Sequence, residues 1–395
     1  MRLLHTSDWH LGHTLKEVAR EHEHAAFLAW LLDACDREEP DVLVITGDVF
    51  DSGTPPASAE RMWFELLAAA RRRRSAMDIV AIAGNHDSPA RLGAATAVLR
   101  ELGVHVVGAL PRQPGQGALD LERILVPVAG GRGLVAAVPF VRPADVAADV
   151  EDPLATIYGE VIAAARARRR RDQAVIVLGH LYVTGAEPSL LSERRVSIGG
   201  QESASLRLFP DDVDYVALGH LHRAQRVGRD SIRYAGAPLA LAIDEASYRH
   251  QVVVVDFDGG RMRQARALDV PQLIGMQRIR GTLEQVLAAL AALPPRCEGW
   301  PPYLEVVVVL DRPVPRLRSI IESAVDGKHV RLIATPVEVT GDGAALGDHI
   351  AACRLAELDP REVFARLWAR DHAEPPGEAI AAGFDRLLAD VEGVS

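Results

Sequence analysis

Residues 42–51 read Val-Leu-Val-Ile-Thr-Gly-Asp-Val-Phe-Asp. The first five are apolar or β-branched without polar alternation, and the run is too short for a helix. That pattern predicts a strand buried on both faces. Gly47 and Asp48 then place a turn and a carboxylate at the strand's carboxyl end. Working outward, the same arrangement recurs. Residues 1–5 read as a strand and precede Asp8-Trp9-His10. Residues 79–83 precede Gly84-Asn85-His86-Asp87, residues 174–178 precede Gly179-His180, and residues 213–218 precede Gly219-His220-Leu221-His222. Helical patterns separate them at 21–37, 57–74, from Ser88-Pro89 to about 102, and at 153–171. Alternating strands and helices predict an α/β fold. In such folds the carboxyl ends of the strands share one edge, where ligands bind. Five segments spread over more than 200 residues are therefore expected to meet at one site.

Composition bounds the alternatives. A chain of 395 residues, 48% hydrophobic and 25% charged, is long enough for two or three globular domains and is not disordered. Its net charge of −10 argues, taken alone, against a basic nucleic-acid coat and a membrane-surface protein. Cys35, Cys297 and Cys353 are scattered, with no metal spacing or disulfide framework, which fits a reducing cytosol. The opening residues lack a signal-peptide pattern, and no apolar stretch reaches 18 residues, so a cytoplasmic protein is expected. The chain has only two lysines, Lys16 and Lys328, and a single asparagine, Asn85.

The five segments offer carboxylates, imidazoles and one amide oxygen. That donor set suits Mn, Fe or Zn better than Ca, which prefers all-oxygen shells. Seven ligands are too many for one ion and suit two that share a bridging carboxylate. Two metals about 3.5–4 Å apart clamp the attacking and leaving oxygens of a phosphoryl displacement and acidify a water. The only Asn and five of the 14 histidines fall inside these segments. The bland alternative, that each His is a hydrogen-bonded loop or core residue, carries more weight for any one of them than for the set.

These motifs resemble the calcineurin-like metallophosphoesterases. HTSDWHLG at the start, GDVFDSGTPP, AGNHDS and ALGHLHRAQ are similar, more narrowly, to the SbcD family of bacterial nuclease subunits. The resemblance is dense to about Ala240 and organisational beyond. It implies a two-sheet β-sandwich flanked by helices, a small α+β capping domain and C-terminal helices. It implies that Asp8, His10 and His222 hold one ion, that Asn85, His180 and His220 hold the other, and that Asp48 bridges them. His86 would face the scissile phosphate as a catalytic group. Asp87 would either orient a neighbouring ring or cap the following helix. At Asp51 archaeal relatives carry a His, so this carboxylate is expected behind the ligands and not in catalysis. GDVFDSG and GNHD, in place of GDxVDRG and GNHE, argue against a phosphoprotein substrate.

The family further implies two Mn ions and a Mn-dependent double-strand 3′→5′ exonuclease and hairpin endonuclease acting on DNA ends and hairpins. Its partner would be an SbcC-type ATPase related to chromosome-maintenance proteins, with the chain homodimeric inside a heterotetramer. Dimerisation would use the helices after the second and third motifs. ATP would act through the partner, since no GxxxxGK[ST] motif is present. The expected division is a nuclease domain at 1–270, a capping domain at 271–339, a linker at 340–354 and a helical docking segment at 355–395. The docking residues would include Phe364, Trp368, Phe384 and Leu387, with folding back on the chain's own domain as the alternative. Rival functions are a small-molecule phosphodiesterase and a DNA-end scaffold with little catalysis.

Other features read more plainly. Trp9 is expected to pack behind the metals and His22 and His24 to lie on the surface. His13, Lys16 and Arg20 belong either to a substrate-contact loop or to a solvated helix start. The basic runs 71–74 and 168–171 end helices, where cations offset the macrodipole, the alternative being a DNA contact. Residues 355–395 hold nine acids and four arginines, half of the net charge. An acidic total therefore does not exclude DNA.

Overall fold

The structure is a computed structural model that describes residues 1–115, 117–142, 145–146, 150, 152–188, 203–311 and 314–339, with residues 364, 368, 376, 377, 380, 383 and 384. Two six-stranded sheets form its body. The first runs in the order Arg261–Asp269, Gln251–Asp258, Arg2–Thr6, Val42–Thr46, Asp78–Ile82 and Val104–Val107. The second runs Gln225–Val227, Arg229–Tyr234, Tyr215–Gly219, Ala174–His180, Gly133–Ala137 and Leu125–Val128. In the first sheet the four strands from Arg2–Thr6 to the Val104–Val107 edge are parallel and the two at the other edge pair antiparallel; in the second the four inner strands are parallel and both edge strands antiparallel.

Alternation along each strand explains the layers. Val42, Val44, Val80 and Ile82 point between the sheets and meet Val135, Ile176, Leu178 and Ala217 of the second. Leu43, Ile45, Ile79 and Ala81 point outward under Phe27 and Leu31 of helix Glu21–Glu38 and Trp63 and Leu67 of helix Ala57–Arg73. Helix Pro153–Arg168 covers the second sheet's outer face with Ile157, Val161 and Ile162. Both faces of residues 42–46 are thus buried, which is why the run shows no alternation. This is an α/β sandwich flanked by helices.

A smaller parallel sheet follows, built from Met276–Thr282, Tyr303–Leu310, Arg331–Ala334 and Val337–Val339, with helices Leu283–Ala291 and Leu317–Val325 against it. Thr282 starts the first of these with a capping box to Gln285.

Several boundaries differ from those the sequence predicts. The helix expected to run unbroken to 102 is two pieces, Pro89–Gly93 and Thr96–Glu101, consistent with the weak helix preference of Gly93. The strand expected at 330–337 is broken at Thr335-Pro336, since proline cannot donate to the ladder. Residues 14–19 form a hairpin, Thr14–Leu15 with Val18–Ala19, turned at Lys16-Glu17, both with positive φ. His24 is buried, not surface, and His22 stacks on Trp300 with ring centroids 4.1 Å apart. Trp9 is fully buried between Phe27 and Trp63, as expected. The basic runs are tied to acids: Arg73 pairs with Asp33 and Asp36, Arg74 with Glu39, Arg168 with Glu122 and Arg169 with Asp214. The linker expected at 340–354 and nearly all of the segment 355–395 lie outside the described residues. Among the described residues no helix is long and apolar enough to cross a membrane.

Candidate metal centre

The five motif segments leave the carboxyl ends of five strands, three from the first sheet and two from the second, and meet at one edge of the sandwich. Asp8, His10 and Asp48 adopt positive φ, which turns the chain sharply as each strand ends. Two glycines allow the close approach. A Cβ on Gly84 would stand 2.1 Å from Asp48 Oδ1, and one on Gly219 would stand 1.9 Å from the carbonyl oxygen of Thr46.

Asp48 sits at the centre. Its Oδ2 lies 3.3 Å from His180 Nε2 and 3.7 Å from His10 Nε2, while its Oδ1 accepts the backbone N–H of His86 at 2.8 Å. On one side, Asn85 Oδ1 lies 2.9 Å from His180 Nε2 and 3.0 Å from His220 Nδ1. On the other, Asp8, His10 and His222 bring one ligand atom each within 4.8 Å of one another, as do Asp8, Asp48 and His180. His86 is half-buried, its ring centroid 4.8 Å from that of His10. Its Nδ1 donates to the carbonyl of Asp51 at 2.8 Å.

The residues fit a pair of cations. Asp8 and Asp48 are buried carboxylates in one small volume, an arrangement that needs compensating positive charge. His10 Nε2 is buried with no hydrogen-bond partner, and its Nδ1 is already taken by Asp51 at 3.1 Å. The proton equilibria show the same tension. Burial and the neighbouring Asp48 push the Asp8 carboxyl up. Asp48 is held well below the usual carboxylate range, against its burial, by His180 and His10. His180 is raised to about 9 despite burial because it faces Asp48, whereas burial and His180 lower His220 to about 3.

The residues behind this cluster are informative. Asp51 Oδ1 accepts from Nδ1 of both His10 and His13, and His13 Nε2 lies 3.0 Å from the carbonyl of Leu241. Despite partial burial, those two rings hold Asp51 strongly acidic. Asp87 neither orients a ring nor caps the next helix, correcting both expectations. Its carboxylate accepts the backbone N–H groups of Gly84, Val49 and Phe50 at 2.8, 3.2 and 2.9 Å, stapling the second and third motif loops together, and Ser88 caps the helix. Burial and Asp48 nonetheless raise it to about 6.

Two groups at the site escape sequence reasoning. Glu245, fully buried, meets His222 Nδ1 at 2.7 Å. Arg142 donates to the carbonyls of Gly84 and Asp87 at 3.2 and 2.8 Å, bracing the loop that carries Asn85 and His86. Neither has a spacing signal. Of the docking residues, Phe364 stacks on Phe384 with centroids 4.2 Å apart and lies 6.1 Å from Trp368, while Leu387 lies outside the described residues.

Comparison with known proteins agrees with this geometry. The calcineurin-like phosphoesterase family model matches residues 1–224. A second model, described as the type 5 capsule protein repressor C-terminal domain, matches residues 273–372. The SbcD subunit of nuclease SbcCD from Rhodobacter capsulatus is 40% identical over 84% of this chain and 86% of its own. The SbcD subunit from Escherichia coli strain K12 is 31% identical over 95% and 94%. That of Bacillus subtilis is 39% identical over 66% and 67%. A metal-ready cluster at the strand ends and similarities of this extent together place the chain in the calcineurin-like phosphoesterases, within the family of SbcD nuclease subunits.

Proposed function

We propose that this chain is the Mn-dependent DNA nuclease subunit of a complex with an SbcC-type ATPase, acting on DNA ends and hairpins in repair and recombination. The observation that carries the reading is the convergence of seven ligand-type side chains from five loops around Asp48. Asp8, His10 and His222 would hold one divalent ion, Asn85, His180 and His220 the second, and Asp48 both. Two ions there would supply Lewis acidity at the phosphodiester and lower the pKa of a bound water.

The chain's own groups do the rest. Asp51 and Glu245 accept hydrogen bonds from Nδ1 of His10 and His222, which would leave Nε2 of each as the nitrogen to hold an ion. His86 keeps its Nδ1 proton on the Asp51 carbonyl, which leaves Nε2 for the substrate. Protonated, that nitrogen stabilises charge on the phosphate or donates to the leaving oxygen.

The cleft over the site, about 480 Å³, is lined by His10, His13, Lys16, His86 and His222 and also by Glu305 and Ile333 of the small sheet. A wall supplied by a second unit favours a polymer over a small diester. We read residues 1–270 as the nuclease domain, 271–339 as the capping domain, and the stretch beyond 354 as the partner-docking segment. Phe64, Val98 and Leu102, exposed apolar residues on and beside the helices after the second and third motifs, suit contact with a second copy.

The test is cleavage of a labelled DNA hairpin and a generic phosphodiester in Mn, with and without the ATPase partner and ATP. Hairpin cleavage that grows with the partner is expected. Hydrolysis of the generic ester alone, even in the full complex, would overturn the nuclease reading.

A further inference from the structure

The small sheet meets the sandwich along a seam. Leu15 of the hairpin, Ile274 and Tyr303 are buried together there, with Val18, Met276 and Ile333 packed on them. At this seam the fully buried Tyr303 donates its hydroxyl to Glu23 Oε2 at 2.8 Å. Glu23 is equally buried and is gripped by Arg20 through bonds of 2.8 and 2.6 Å. Arg20 also donates to the carbonyl of Ala240 and lies 5.9 Å from the Tyr303 ring centroid. One buried cluster thus ties three segments together: the first turn of helix Glu21–Glu38, the segment after the fifth motif, and the central strand of the small sheet.

That strand also builds the cleft. Residues two apart share a face of a strand, so Tyr303 and Glu305 project to the same side. Glu305 lines the cleft, held at 2.5 Å by Arg278 directly across the sheet. The polar anchor at the seam and the cleft wall are therefore neighbours on one rigid strand. We propose that the Tyr303–Glu23 hydrogen bond is a specificity-determining contact, which fixes the wall so that the site acts on extended polynucleotide in preference to small phosphodiesters. The proposal rests on DNA being the substrate. A small diester needs only the groups on the cleft floor, whereas a polynucleotide must run along the cleft past Glu305 and Ile333. Freedom of the wall is felt by the long substrate alone. Tyr303 acts as a positioning residue and touches no reacting atom.

Tyr303→Phe removes one hydroxyl and leaves the Arg20–Glu23 pair intact. In the Mn-loaded complex with the ATPase partner, kcat/KM is measured for a labelled DNA hairpin and for bis(p-nitrophenyl) phosphate. The ratio of the two should fall about tenfold, the size expected for loss of one hydrogen bond to a charged group, with the small-ester rate held. Ile274→Ala loosens the same seam without touching the polar cluster and should move the ratio the same way. Arg280→Ala breaks an ion pair with Glu338 away from the seam and should leave it unchanged. An unchanged ratio in Tyr303→Phe, or an equal fall for both substrates, overturns the proposal. Wild-type protein that hydrolyses the ester but no DNA overturns the nuclease reading itself, and the selectivity with it.

Discussion

His222 Nδ1 and a carboxylate oxygen of Glu245 lie 2.7 Å apart with both side chains buried, and the second Glu245 oxygen accepts the backbone N–H of Leu241 at 2.7 Å. The carboxylate is thus anchored before it meets the ring, and it fixes both the tautomer and the plane of His222. Partners of this kind are worth about 10- to 100-fold in metal affinity. Glu245→Gln should weaken Mn binding by about that factor, read by metal titration, with the fold intact by circular dichroism. Unchanged affinity would remove Glu245 from the site.

His86 stands apart from the ligand cluster in the role we assign it. His86→Ala should retain its metal and lose about 10²- to 10⁴-fold in kcat, the range for a positioned acid or base. A loss of metal content instead, measured on the same preparation, would make His86 a ligand.

Asp87 holds two loops through three backbone N–H groups. Asp87→Ala strands those donors in a buried place and should cost about 2–4 kcal/mol of stability. The melting temperature should drop in metal-free protein, where no lost ligand can be blamed. Metal-free stability equal to wild type would contradict the stapling role.

Two buried histidines outside the metal cluster give the protein an acid sensitivity. Burial holds His5 and His24 neutral, lowering each to about 3 from an ordinary value near 6.5. The unfolded chain takes up these protons below about pH 6.5 and the folded chain only near pH 3, so stability is lost as pH falls across that window. Neither ring nitrogen of His24 has a hydrogen-bond partner. His24→Leu should therefore raise the melting temperature, and more at pH 5 than at pH 8. A gain independent of pH would show that His24 is not held neutral.

Much of this is legible in the sequence because it is periodic or local. The run at 42–46 marks a doubly buried strand, and strand-then-Gly-then-acid or His marks a strand end that faces a ligand. The lone Asn falls where an amide oxygen meets two imidazoles. What stays hidden is long-range. Glu245 lies 23 residues beyond His222 and Arg142 lies 55 beyond Asp87, and no local pattern joins either pair. His24 departs from its expected surface position because a helix's first turn is usually wet, whereas here the Lys16–Glu17 hairpin and the small sheet come close to that turn. Asp87 departs from its expected roles because its neighbours in sequence suggest a cap, while its partners lie mainly on another loop.

The central claim is a pair of divalent ions sharing Asp48. Equilibrium binding of Mn, followed by electron paramagnetic resonance, tests it directly. Two Mn per chain with an exchange-coupled signal are expected, with loss of that coupling in Asp48→Asn. A single bound ion, or two ions with no coupling in the wild-type protein, would contradict the claim.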